Sequence, residues 1–176
     1  MEISVTIDDK AVQSMLHRLQ ERVGNMSAPM AKIGVFYERW VGENFAAQAS
    51  PDGKPWARLS QTTMMLGLSN KGRIGKKGGL TTKSRKYIQG KRILWEHGDL
   101  AGSIHSSSTK DSVTIGSSGS IKYAAIHQFG GMAGRGRKVN IPARPYLAVN
   151  SGTGLELAER DRVRILDIIR EYLAEG

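Results

Sequence analysis

The stretch YAAIHQFGG (Tyr123 to Gly131) sets a histidine beside a glycine pair, and the basic run MAGRGRKVNIPARPYL follows. That combination invites a phosphate-handling reading. A P-loop needs two glycines spaced by four residues, then a lysine to neutralise phosphate and a hydroxyl to hold magnesium. Gly131 and Gly136 have the spacing, but Arg137 stands in place of the lysine and Lys138 in place of the hydroxyl residue. A dinucleotide-binding fingerprint fails as well, because Val139 occupies the third glycine position after Gly134 and Gly136. The run reads as a flexible, basic surface loop.

The other reactive residue types give no better constellation. His17, His97, His105 and His127 show no H-E-x-x-H or related ligand spacing, and with no cysteine in the chain thiolate chemistry and sulfur-based zinc sites are excluded. His97, Asp99 and Ser103 carry the side chains of a hydrolytic triad. They lie too close in one loop for its geometry, and no G-x-S-x-G elbow accompanies them. Most remaining carboxylates sit near Arg160, Arg162 and Arg164 or on the N-terminal helix, as on a solvated helix face. The expectation is a protein that is not an enzyme and needs no metal or cofactor.

The elements that would position these residues can be read from periodicity. Ile3, Val5 and Ile7 alternate as in a half-buried strand. Asp8 or Asp9 can cap a helix whose stripe is Val12, Met15, Leu16, Leu19 and Val23, with Gly24-Asn25 as a left-handed stop. Ser27 can cap a second helix, with Pro29 in its first turn and Met30, Ile33, Tyr37, Trp40 and Val41 on one face. Phe36 and Phe45 lie off that face, as in a helix buried on more than one side. SPDGKPW (Ser50 to Trp56) is turn chemistry that leaves Trp56 to anchor the loop.

SIHSSS and SVTIGSS read as a hairpin turning at Thr109 to Ser112, and KVNIPARPYLAVN as a strand ending in a proline-stiffened corner. Thr153 and Glu156 form a capping box for a last helix with Leu155, Ala158, Ile165, Leu166, Ile169, Tyr172 and Leu173 as its stripe. Length and pattern predict one α+β domain over residues 1–176, an antiparallel sheet flanked by amphipathic N- and C-terminal helices. An apolar fraction of 39% and 21 glycines suit an assembly component with generous loops.

Charge is the feature with functional weight. The formal net charge is +10, and no Asp or Glu occurs from Gly53 to Trp95. Residues 66–91 combine glycines and cations with little apolar periodicity, which predicts a long mobile basic loop. Lys71, Arg73, Lys76, Lys77, Lys83, Arg85, Lys86, Lys91 and Arg92 would face DNA phosphates or an acidic protein neighbour. Tyr87 is its lone aromatic residue, which argues against single-strand base stacking. MEISVTIDDK has acids where an export signal would be basic, and no long apolar run follows, so neither export by that route nor a membrane span is expected.

Four stretches in this order, SPDGKPWARLSQTT, RILWEHGDLAGSIH, YAAIHQFGG and IPARPYLAVN, resemble the phage virion morphogenesis (tail completion) family of Mu-like and contractile-tailed phages. The resemblance implies a structural protein at the head–tail junction or the head-proximal end of the tail, a neck or tail-terminator ring. Copies of the chain would assemble into a ring, sixfold because tail tubes are sixfold, with double-stranded DNA passing through the lumen. Neighbouring head–tail connector and tail tube proteins would be its other partners, and it would reach the virion from the host cytoplasm. Trp56, Trp95, His127, Gln128, Phe129, Gly130, Gly131, Pro142, Arg144 and Pro145 are then assembly or structural residues, with Tyr123, Ile126 and Phe129 as core or interface anchors. The competing readings are a sequence-nonspecific DNA-binding module, a transient assembly factor, or an enzyme exposed by loss of turnover in His127→Ala.

Overall fold

The computed structural model of the chain describes residues 9–69, 79–136, 138–148 and 159–174. The expected strand at Ile3 to Ile7, the Thr153–Glu156 capping box, Leu155 and Ala158, and Lys71, Arg73, Lys76, Lys77 and Arg137 lie outside the described residues. Seven helices and two two-stranded sheets make up the described chain, an α+β fold. Contacts gather the chain into two compact units, the first built from residues 1–38, 106–115 and 157–176, the second from residues 39–105 and 116–156.

In the first unit, α1 (Lys10–Gly24) begins on Asp9, whose carboxylate accepts from the amides of Ala11 at 2.8 Å and Val12 at 3.3 Å. The predicted stripe is present, yet the helix has no buried residue: Val12, Met15, Leu16 and Val23 remain 46–62% exposed. The expected left-handed stop is not used, since Asn25 ends the helix at φ −137°. Its Oδ1 instead accepts from the amide of Ser27, taking the capping role predicted for Ser27 at the start of α2 (Ser27–Ala47).

Ile33 and Tyr37 of α2 are buried as their spacing predicts. Gly34 lets the hairpin approach, because a Cβ there would lie 2.6 Å from the Ser106 hydroxyl. That hairpin is β1 (Ile104–Ser108) and β2 (Val113–Ser117), closed by a 2.8 Å bond from the Thr109 amide to the Ser112 carbonyl. The last helix runs Glu159–Ala174 (α7 in chain order), and Arg22 sits over the Tyr172 ring at 5.3 Å. Its buried positions are Asp161 and Ile168, while Leu166 is exposed. Ile165, Ile169, Tyr172 and Leu173 of the expected stripe are half-buried on the same side, so the stripe is largely present and only Leu166 departs from it.

In the second unit the interior is aromatic. Phe45 meets Trp56 edge-on at 5.4 Å and Tyr146 at 5.2 Å, and all three are buried. Trp56 is anchored as expected, its Nε1 donating to the Pro145 carbonyl at 2.7 Å.

The predicted loop over residues 66–91 needs correction. Helix α3 (Gln61–Ser69) covers its start and α4 (Thr82–Gln89) its later part. Thr81 caps α4 by accepting from the Ser84 amide at 3.2 Å, Ser84 is buried, and straight-chain Lys and Arg are good helix formers. Helix α5 (Asp99–Gly102) and helix α6 (Ala124–Phe129) follow. The basic run after α6 is a hairpin, not a free loop: β3 (Gly131–Ala133) pairs antiparallel with β4 (Val139–Ile141), Gly131 opposite Ile141.

Candidate functional site

The second unit holds a cleft of about 820 Å³. Each of the four stretches that carry the resemblance contributes to its wall. Arg58 comes from the turn after Trp56, Trp95 from the segment before α5, His127 from α6, and Arg144 from the corner after β4. Lys86, Lys91 and Arg92 of the predicted basic loop line it too, whereas Lys83 and Arg85 are exposed on α4 and do not. Charges far apart in sequence are thus brought to one place by an aromatic core and a tight corner.

The corner is fixed by Gln128. This buried side chain accepts from the amides of Tyr146 and Leu147, each at 3.0 Å, and donates to the Leu147 carbonyl at 2.9 Å. Its amide substitutes for a strand partner over residues that have none. Tyr146 in turn donates its hydroxyl to the Ala124 carbonyl at 3.1 Å, closing α6 onto the corner. Gly130 has φ +72° and ψ −177°, and a Cβ there would meet the Ala143 nitrogen at 2.8 Å and the Ile141 oxygen at 3.0 Å. Only glycine meets both conditions. Gly131, φ +138°, starts β3 immediately afterwards. Pro142 is exposed and lines the cleft, and Pro145 supplies the carbonyl for Trp56.

Arg144 is 6% exposed, with Nε donating to the Ala57 carbonyl at 2.8 Å and Nη2 to the Arg58 carbonyl at 3.2 Å. It pairs with no carboxylate among the described residues. Burial lowers its pKa. Beside it, His127 is pushed below the usual histidine value, by burial first and then by the Arg144 charge, which favours its neutral form. Its Nδ1 is buried without a hydrogen-bond partner among the described residues, and its ring meets Tyr123 edge-on at 5.7 Å. At the rim, Arg92 lies 4.4 Å over the half-exposed Trp95 ring and donates to the Phe45 carbonyl at 3.2 Å.

The expected anchors divide. Tyr123 and Phe129 are exposed and Ile126 is half-buried, so within this chain the buried residues of α6 are Ala124 and Gln128. The helix is too short and too close to the surface to hide a full apolar face. Nor does the structure assemble the hydrolytic constellation: the Ser103 hydroxyl is donated to the Leu100 carbonyl at 2.8 Å, while His97 is exposed. His17 lies on α1, 3.5 Å from Glu21. No group of three or more His, Asp or Glu side chains able to hold a metal ion occurs among the described residues. No helix among them is long and apolar enough to cross a membrane. The cleft itself went unseen in the sequence, although the glycine at position 130 and the Gln beside His127 were the signals of the corner that forms it.

Comparison with known proteins adds three findings. The model of the phage virion morphogenesis family matches residues 7–174. The Mu-like prophage FluMu G protein 2 of Haemophilus influenzae is 36% identical over 126 residues, covering 72% of this chain and 82% of that protein. The putative capsid assembly protein G of Escherichia phage Mu is 27% identical over 173 residues, covering 97% and 99%. No solved structure matches.

Proposed function

This chain belongs to the phage virion morphogenesis family, and from that premise we propose that it closes the head-proximal end of a phage tail as a ring of identical copies. Its role in building the phage particle, structural or in assembly, follows from membership. The ring, sixfold to match a tail tube, is the finer reading, as is its place between connector and tail tube proteins.

The observation that carries it is the uncovered stripe of α1. A fifteen-residue helix with no buried residue contributes little to its own unit, and Val12, Met15, Leu16 and Val23 stay about half exposed or more. Burying what remains of each against a neighbour is worth about 1 kcal/mol per side chain, several kcal/mol for the stripe in every copy. Val35 and Val163 of the same unit are exposed as well. A closed ring repeats one such contact at every interface.

DNA in the lumen would meet a chain of charge +10, with Lys83, Arg85 and Lys86 exposed along α4. Such contact is electrostatic and sequence-independent. Complementing a phage that lacks the gene with Leu16→Asp tests the ring: the proposal expects soluble, folded protein and a loss of finished particles. Wild-type particle yield with Leu16→Asp and Met15→Asp together would defeat it.

A further inference from the structure

The cleft of the second unit has an electrostatic imbalance that the ring reading does not use. Five cationic side chains line it, Arg58, Lys86, Lys91, Arg92 and Arg144, against two carboxylates, Glu96 and Asp99. Neither carboxylate forms an ion pair with those cations among the described residues. Three of the cations are held instead by rings and carbonyls. Arg92 lies on Trp95, Lys91 Nζ lies 5.2 Å over Tyr87 and donates to the Thr63 carbonyl at 3.1 Å, and Arg144 is fixed by the carbonyls of residues 57 and 58. A carbonyl orients a guanidinium but leaves its net charge uncompensated, and Arg144 Nη1 makes no hydrogen bond among the described residues. A cation more than nine-tenths buried without a counter-ion is costly unless an anion arrives.

Apolar side chains, Leu59, Leu94, Trp95, Leu100, Tyr123 and Ile141 among them, share the wall with a few neutral polar ones such as Ser60, Thr63 and Asn140. Positive groups set in an apolar concavity of this volume suit an anion attached to a hydrophobic body. We propose that the cleft receives a short segment of a partner protein that presents a carboxylate flanked by bulky apolar side chains. The carboxylate pairs with the guanidinium groups of the cleft, bidentately where geometry allows, and the apolar side chains cover the Trp95–Tyr123 side.

Nucleic acid fits less well. A duplex presents phosphates on a broad convex surface and reaches exposed cations, whereas Arg144 is buried. A single strand would need free ring faces to stack on. Arg92 already covers one face of Trp95, and Tyr123 is engaged edge-on with His127. The inference concerns the cleft alone and does not rest on ring formation by α1.

The test is selection of a displayed library of random dodecapeptides on the full chain at about 0.15 M salt, followed by titration of the winning synthetic peptide against tryptophan fluorescence. Enrichment of sequences with Asp or Glu beside Leu, Ile or Phe is expected. Replacing that acid by its amide, or Arg92 by Glu, should weaken binding by about tenfold or more. Arg144→Gln should act in the same direction. If Arg144→Gln does not fold, Arg92→Glu, which alters an exposed side chain, decides the matter alone. Leu16→Asp should leave peptide binding unchanged, which separates this site from the ring contact. No enrichment, enrichment without acids, affinity indifferent to Arg92→Glu, or tighter binding of an oligothymidylate that displaces the peptide would each overturn the proposal.

Discussion

Substituting Gln128 by leucine puts the account of the corner to a quantitative test. The side chain is 3% exposed and makes three hydrogen bonds, all to the backbone of residues 146 and 147. Leucine is of similar volume, so little cavity is created and the polar loss dominates. The Tyr146 amide is then left buried and unpaired, which costs about 1–3 kcal/mol. The Leu147 amide and carbonyl are half-buried and recover part of their bonding from water, about 1 kcal/mol each. The sum is roughly 3–5 kcal/mol, a large share of a typical domain's stability. Urea unfolding followed by tryptophan fluorescence is the suitable assay, because Trp40, Trp56 and Trp95 all belong to the second unit. A Gln128→Leu protein within about 1 kcal/mol of the parent would refute the claim that this amide holds the corner.

Other outcomes follow from the same geometry. Gly130→Ala combines a positive φ with contacts to the Ala143 nitrogen and Ile141 oxygen at 3.0 Å or less, and should cost about 2–4 kcal/mol in the same unfolding assay. His127 has a folded-state pKa below its ordinary 6.5, so the unfolded chain takes up the proton first as the solution is acidified. Its stabilising effect is therefore complete above that value and lost as pH falls through it; the urea midpoint should drop on acidification, and His127→Gln should flatten that dependence. Tyr37 is pushed up to about 12, by burial first and then by Asp161, and burial also raises Tyr146. Two of the five tyrosines should then ionise late in an alkaline titration of phenolate absorbance, and the stability Tyr37 contributes should be lost as pH rises from 10 toward 12.

What could be read from the sequence depended on whether a signal was local. The Asp9 cap, the α2 face around Ile33 and Tyr37, the Thr109–Ser112 turn and the anchoring of Trp56 were all legible, because caps, turns and periodic stripes are written in adjacent residues. Helix α4 was missed. The glycines that flank it and its run of cations read as a loop, and the Thr81 cap is a single hydroxyl among them. In α7 the stripe is legible at Ile165, Ile169, Tyr172 and Leu173, whereas buried Asp161 is not, because a charge ordinarily marks the exposed face.

The family resemblance was carried by four separated motifs, and their reason for coexisting is spatial. Trp56 bonds to the Pro145 carbonyl, Arg144 to the carbonyls of Ala57 and Arg58, and Gln128 to the backbone of Tyr146 and Leu147, over separations of up to 89 residues. Long-range closure of that kind leaves no periodic trace. YAAIHQFGG contributes Gln128 and Gly130 as structural parts and His127 as a neutral wall beside a buried cation, so the phosphate-site reading has no residue left to support it.

The central claim is a ring of copies at the end of the tail. Electron-microscopic reconstruction of that end in particles carrying a tagged copy of this chain tests it most directly. The account predicts a closed ring of tagged subunits at the head-proximal end, with the α1 stripe at each subunit interface. Tag absent from finished tails, or present there as single copies without contact through α1, would contradict it.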